Sequence, residues 1–143
     1  NKASDDAAGL AIADSLRASQ RVASVAIRNA NDGISTIAIA DSALGEIGNV
    51  LSRLAELSQQ SANGVFSVIQ RSALSNEFVA LGSEIERIAV TTEFNGVRLL
   101  SGNSSVILQV GFNSTSTSQI SYTGVRGTLA SLGLAGANAS ALT

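Results

Sequence analysis

The segment NANDGIS at residues 29–35 lies near the middle of about sixty residues that otherwise follow the spacing of one amphipathic helix. Asn-Asp-Gly is typical of a turn, and a turn would end a helix. The apolar residues on the two sides nevertheless keep one period across the segment. A helix that keeps its register through such a segment must be held by neighbouring helices. This pattern indicates an assembly protein rather than a catalyst.

The helix predicted around this segment covers residues 4–61, with Ser4 as its N-cap. Its apolar residues repeat every 3.5 positions, which is typical of a coiled coil. At 1.5 Å per residue the helix would be roughly 85 Å long, so we expect a rod. The predicted packing seam uses heptad positions a and d and is small in its first half and aliphatic in its second. Its members are Ala30, Gly33, Ile37, Leu44, Ile47, Leu51 and Leu54.

A second helix is predicted over residues 67–91, after a turn at Ser61-Ala62-Asn63-Gly64. It has the same apolar period as the first helix. The simplest packing is an antiparallel hairpin, in which the two helices form part of an incomplete bundle. The period then changes, and residues 97–124 are typical of a small β-hairpin region. The predicted fold is therefore mainly α, with a short β-hairpin and an irregular tail over residues 125–143.

The composition argues against catalysis. The chain has 143 residues and a net charge of −2, and it contains no His, Cys, Met, Trp or Pro. Without Cys and His it lacks thiolate ligands and the commonest general base, so we predict no enzyme activity, metal or cofactor. The charge gives no reason to expect nucleic-acid binding. We also expect no membrane span, because no apolar stretch approaches the length that one needs.

Three residues lie off the predicted seams and suggest a second contact surface. Leu57 falls at heptad position g and Arg53 lies one turn before it, while Glu77 is off the seam of the second helix. If Leu57 is exposed, truncating it should cost less than about 1 kcal/mol. The alternative is that Leu57 is the edge of a wide apolar stripe.

Several motifs together resemble bacterial flagellin. KASDDAAGLAIA at residues 2–13 resembles the start of the family's first core helix, and RNANDGIS at 28–35 resembles its most recognisable motif. LSRLAEL at 51–57, SANG at 61–64 and FNGV at 94–97 follow in the family's order. The resemblance covers residues 2 to about 100, and residues 101–135 resemble the family's β-hairpin more loosely.

The resemblance implies that residues 1–143 form the N-terminal part of the D1 core domain, with the first helix continuous through Asn31-Asp32-Gly33. It implies a structural subunit of the extracellular flagellar filament, which polymerises through helix packing and is secreted through the flagellar export apparatus. Arg53, Leu57 and Glu77 match the family's epitope for Toll-like receptor 5. Ala55 departs from the family, in which Arg is common at that position.

The chain does not begin with Met and opens inside a helical pattern, so we expect a fragment. The resemblance implies that the segment preceding Lys2 is missing, together with the C-terminal helix that completes the D1 bundle. Both seams would then lack a third partner and expose an apolar surface. We therefore expect the fragment to be marginally stable, or to pair with a second copy or with the missing helix.

Two alternative functions remain open. A hook–filament junction protein would share the helical architecture, although the motif at residues 28–35 favours flagellin. A flagellin-like cell-surface protein that binds a glycan or polysaccharide would use the polar loop at residues 111–118.

Overall fold

A computed structural model describes residues 7–102 and 105–134 of the chain. In this part of the chain, two long helices precede a small β region: α1 (Ala7–Ser61), α2 (Val68–Thr91), β1 (Glu93–Phe94), β2 (Val97–Arg98), β3 (Ser105–Gln109) and β4 (Gln119–Thr123). The expected mainly α class is confirmed. The predicted N-cap, Ser4, lies outside the described residues.

The described residues fall into two compact units. The first unit combines residues 7–36 of α1 with residues 105–122, and the second combines residues 37–102 with 123–134. The first unit contains the NANDGIS segment, and the second contains the large apolar core.

Within the first unit, α1 continues through Asn31-Asp32-Gly33 without a break. Gly33 is buried against β3, because a Cβ at this position would collide with the Leu108 side chain. Asn29 Nδ2 also donates to the Gln109 carbonyl oxygen at 2.8 Å. Tertiary contacts with β3 therefore override the local turn preference, and glycine gives room for the Leu108 side chain rather than forming a turn.

The second helix starts at a capping box. The Ser67 hydroxyl accepts from the Gln70 backbone N–H at 3.3 Å, and Gln70 Oε1 accepts from the Ser67 N–H at 2.9 Å. These two bonds provide partners for the Ser67 and Gln70 backbone N–H groups, which lack acceptors within the first turn of the helix. The buried face of α2 then follows steps of three and four residues, comprising Ser75, Phe78, Gly82, Ile85 and Ala89.

The core of the second unit combines both helices with the segment after β2. Leu99 and Leu100 directly follow β2, and both are fully buried. The Leu99 N–H donates to the Thr92 carbonyl at 3.0 Å, which anchors this segment at the end of α2. The buried apolar residues are Ala40, Ile47, Leu54, Leu57, Phe78, Ile85, Ala89, Leu99 and Leu100.

The buried face of α1 is rotated from the predicted seam. Gly33, Ile47 and Leu54 are buried as expected at position d, whereas Ala30, Leu44 and Leu51 at position a are half-buried. Ile37, also predicted for the seam, is 46% exposed, so it is not buried within the described residues. The buried partners of the d residues are instead at position g. The packing face is therefore centred on position d and includes position g, whereas the predicted seam lay between a and d.

A tight hairpin joins β1 to β2. Glu93 pairs with Arg98 and Phe94 with Val97, so Asn95 and Gly96 form a two-residue loop. Their φ angles of 49° and 76° are both positive, as the type I′ turn favoured by Asn-Gly requires. In the first unit, β3 and β4 form a separate two-stranded sheet.

Candidate functional site

Arg53 is the centre of a charged cluster on the surface of the second unit. Its Nη2 lies 2.8 Å from Glu77 Oε1, and its Nε donates to the same oxygen at 3.0 Å. Arg53 Nη1 donates to Glu56 Oε2 at 2.9 Å. The hydrogen bond to Glu56, followed by the bond to Glu77, raises the pKa of Arg53 above its ordinary value. The structure thus brings Arg53 and Glu77 together across the two helices.

Leu57 does not belong to this exposed cluster. Its exposed fraction is 0%, and it is part of the core with Ile85 and Leu99. The expectation that Leu57 forms a surface contact is therefore wrong, and it is the inner edge of the apolar stripe. The physical reason is the rotated packing face, which turns position g into the core.

Two polar contacts were not identified from the sequence. Glu56 completes the Arg53 cluster, and its i,i+3 spacing from Arg53 is a signal that could have been used. Glu86 Oε2 accepts from the Leu129 backbone N–H at 2.9 Å, 43 residues along the chain. No local sequence pattern signals such a distant contact.

The first unit exposes a second apolar stripe on α1, which we call the outer stripe. Its members are 62–66% exposed. At 100° per residue they fall within a sector of about 60°, on the side away from the buried Thr36. The outer stripe comprises Ile12, Leu16, Ile27 and Ile34. Apolar side chains aligned in this way are typical of a surface that packs against another helix.

Part of α1 is also unusually hydrophobic for a helix of this exposure. An 18-residue window within Ala8–Ser61 reaches a mean hydropathy of 1.2, and 17% of that window is buried. The expectation that no stretch is apolar enough for a membrane span is therefore wrong as judged by length and composition. Core helices of water-soluble proteins also meet this criterion, so it does not by itself identify a membrane helix.

Metal-dependent chemistry receives no support from the acidic residues. Among residues 7–102 and 105–134, no group of three or more Asp or Glu side chains is arranged to hold a metal ion. The carboxylates of the Arg53 cluster are used in ion pairs instead.

Comparisons with known proteins agree on one family. The family model described as "Bacterial flagellin N-terminal helical region" matches residues 1–105. Polar flagellin F of Vibrio parahaemolyticus is 49% identical over 102 residues, which are 71% of this chain and 27% of that protein. Flagellin A of Vibrio cholerae is 46% identical over 127 residues, 88% of this chain and 34% of that protein.

A solved structure of FliC from Burkholderia pseudomallei has a TM-score of 0.62 and 33% identity. The match covers 68% of this chain and 38% of that one. The chain thus spans 27% and 34% of the lengths of the two Vibrio relatives. The matched parts correspond to only about a third of a complete relative.

Proposed function

The chain belongs to the bacterial flagellin family, and from this we propose that it is the N-terminal D1 segment of a structural subunit of the flagellar filament. In this proposal the subunit is non-catalytic and extracellular, and it is secreted through the flagellar export apparatus. Its partners are other flagellin subunits and the C-terminal helix that completes the D1 bundle. The single observation that carries the proposal is the outer stripe, since a helix with a buried face and a second apolar face is suited to packing in an assembly.

Packing against protein helices accounts for the outer stripe better than a lipid environment does. One side of α1 is lined by exposed polar residues, among them Arg28, Asn31 and Ser35. A membrane-spanning helix would be apolar around its whole circumference. The hydropathy of α1 is therefore consistent with a helix that has two protein-facing surfaces.

A chimeric flagellin tests this function. In a Vibrio cholerae strain without its own flagellins, the segment of flagellin A that matches this chain is replaced by the present sequence. We expect filaments visible by electron microscopy and restored swimming in soft agar. A parallel chimera with a helix-breaking Pro in place of Ala38 is the negative control, because Pro removes a backbone hydrogen bond of α1. A stable, exported first chimera that forms no filaments would contradict the proposal.

We further propose that the Arg53 cluster contributes to recognition by Toll-like receptor 5. Arg53 and Glu77 present complementary charges at the surface, and Glu56 holds the guanidinium from the other side. Leu57 lies beneath this region as a core residue. In this proposal its role is to position the surface of α1 rather than to contact the receptor.

For Arg53→Ala we expect the concentration that gives half-maximal receptor signalling to rise by about tenfold or more, because Arg is a frequent hot-spot residue. The variant is made in the chimeric flagellin and measured with a reporter cell line for the receptor. Arg87→Ala is the matched control, since Arg87 is also exposed and pairs with Glu84 three residues before it. Equal signalling by the two variants would show that the Arg53 cluster is not used.

A further inference from the structure

The turn between α1 and α2 contains an Asn-Gly pair, Asn63-Gly64, whose side chain and backbone are arranged for a reaction with each other. Both residues are exposed. Asn63 Oδ1 accepts from the Val65 backbone N–H at 3.3 Å, so its side-chain amide is folded back over the peptide bonds that follow it. The Gly64 backbone nitrogen, which follows Asn63 directly in the chain, is not shielded, because nothing lies within 4 Å of a Cβ position at Gly64.

We infer that Asn63 is a site of spontaneous deamidation. The Gly64 backbone nitrogen loses its proton to a water-derived base and attacks Asn63 Cγ. A new N–C bond forms, the Cγ–Nδ2 bond breaks, and Nδ2 leaves as ammonia after taking up a proton. Water then opens the cyclic imide at either carbonyl and leaves Asp or isoaspartate at position 63. The reaction needs only water, so it does not depend on the proposed function.

The Val65 N–H favours the attack electrostatically. Negative charge develops on Asn63 Oδ1 when the nitrogen adds to Cγ. A backbone donor already directed at that oxygen stabilises the charge, in the same way as a donor in an oxyanion hole. The conformation of the turn therefore prepares the amide carbon of Asn63, Cγ, for attack.

Little of the surrounding backbone opposes the closure of the ring. The Asn63 N–H donates to the Gln60 carbonyl at 3.2 Å, and the Asn63 carbonyl accepts from the Phe66 N–H at 3.3 Å. Bonds of this length are at the weak end of the normal range. An exposed turn held by such bonds can adjust its dihedral angles without unfolding either helix.

A second Asn-Gly pair in the chain provides an internal comparison. Asn95 and Gly96 are exposed too, but they form the two-residue loop between β1 and β2. Asn95 is fixed at a φ of 49° by the strand pairs on both sides. Within the described residues, no backbone donor is bound to Asn95 Oδ1. Ring closure at Asn95 must first disrupt the hairpin, which protects it.

The products change the connection between the helices. Either product adds one negative charge beside Val65. Isoaspartate also routes the main chain through the former side chain, which inserts one methylene between the end of α1 and the Ser67 cap of α2. The bonds from Asn63 to Gln60 and Phe66 cannot both keep their geometry after this insertion.

Peptide mass spectrometry of the full chain can follow both sites at once. After incubation at mildly alkaline pH, trypsin releases residues 54–71 and 88–98, which contain Asn63 and Asn95 as their only asparagines. We expect conversion at Asn63 to be about tenfold or more faster than at Asn95, because the hairpin must open locally before Asn95 can react. Methylation by an isoaspartyl methyltransferase should appear in the 54–71 peptide. In the isolated synthetic peptides the two rates should be similar.

Gly64→Ala is the decisive variant. A Cβ at Gly64 meets no atom within 4 Å, and the residue does not have a positive φ, so the substitution should leave the fold unchanged. The added methyl group should slow conversion at Asn63 by about tenfold while Asn95 is unaffected. Asn63→Gln provides a second variant, which should show no conversion at this site. Equal rates at Asn63 and Asn95 in the folded chain, or an unchanged rate in Gly64→Ala, would overturn the inference.

Discussion

Leu57→Ala is expected to lower the free energy of unfolding by about 2–5 kcal/mol, as is typical of a buried leucine truncated to alanine. Leu57 has an exposed fraction of 0% and is packed in the core of the second unit. The substitution removes buried methyl groups and leaves a cavity between the helices. Alanine is the best helix former, so a loss of helix propensity cannot explain the effect.

Denaturation with urea, followed by circular dichroism, measures this loss. Leu16→Ala is the matched control, because it makes the same chemical change in the same helix at a residue that is 64% exposed. We expect the control to change the free energy of unfolding by no more than about 0.5 kcal/mol. If the two variants lost the same amount, Leu57 would not be a core residue of the folded chain.

The case of Leu57 shows which part of the fold is encoded locally. The repeat of three and four residues along α1 follows from the side chains of α1 alone, and it correctly predicts a long helix whose second half packs into a core. The face that is buried depends on which neighbours are available. In the structure these are α2 and Leu99–Leu100, and they bury residues at positions d and g, while Leu44 and Leu51 at position a are only partly buried. The period was therefore predictable, whereas its phase was not.

In the NANDGIS segment, two patterns in the sequence give opposite predictions. Local turn chemistry predicts a break at Gly33, and heptad phase predicts continuity. The structure supports continuity, with the Asn29–Gln109 hydrogen bond and the Leu108 side chain on Gly33. Both contacts come from a strand far along the chain. A single sequence could show that Gly33 is small because something packs against it, but could not identify Leu108 as the partner.

The candidate site was predicted only in part, because the buried face of α1 depends on its neighbours in the fold. Arg53 and Glu77 were identified because both lie off the predicted seams, and the structure brings their side chains into contact. Leu57 was placed with them by the unrotated seam, which assigned position g to the surface. Positions d and g lie only about 60° apart around the helix, so a small shift of the packing face towards g is enough to move such a residue from the flank to the core.

The combined substitution Ile27→Asp and Ile34→Asp is expected to abolish filament formation by the chimeric flagellin. These residues are 63% and 66% exposed and lie one above the other on the outer stripe. If the stripe packs against helices of neighbouring subunits, two carboxylates placed there must be buried without partners, which is strongly unfavourable. In the free subunit they remain in water, and a small loss of helix propensity is the only penalty.

Two measurements distinguish a stripe that packs within one subunit from a stripe that packs between subunits. They are electron microscopy of the exported chimera and the melting temperature of its unpolymerised form. Ser24→Asp with Ser35→Asp is the control, since it adds the same charge at exposed positions of α1 roughly 80–100° away from the stripe. We expect the control to polymerise, and the isoleucine variant to stay monomeric with an unchanged melting temperature.

A lowered melting temperature would mean that a helix of the same subunit covers the stripe. Normal filaments would mean that the stripe remains in contact with water after assembly. Because each position of the stripe predicts a different pair of results, the two measurements together determine whether α1 uses its second face within one subunit or between subunits.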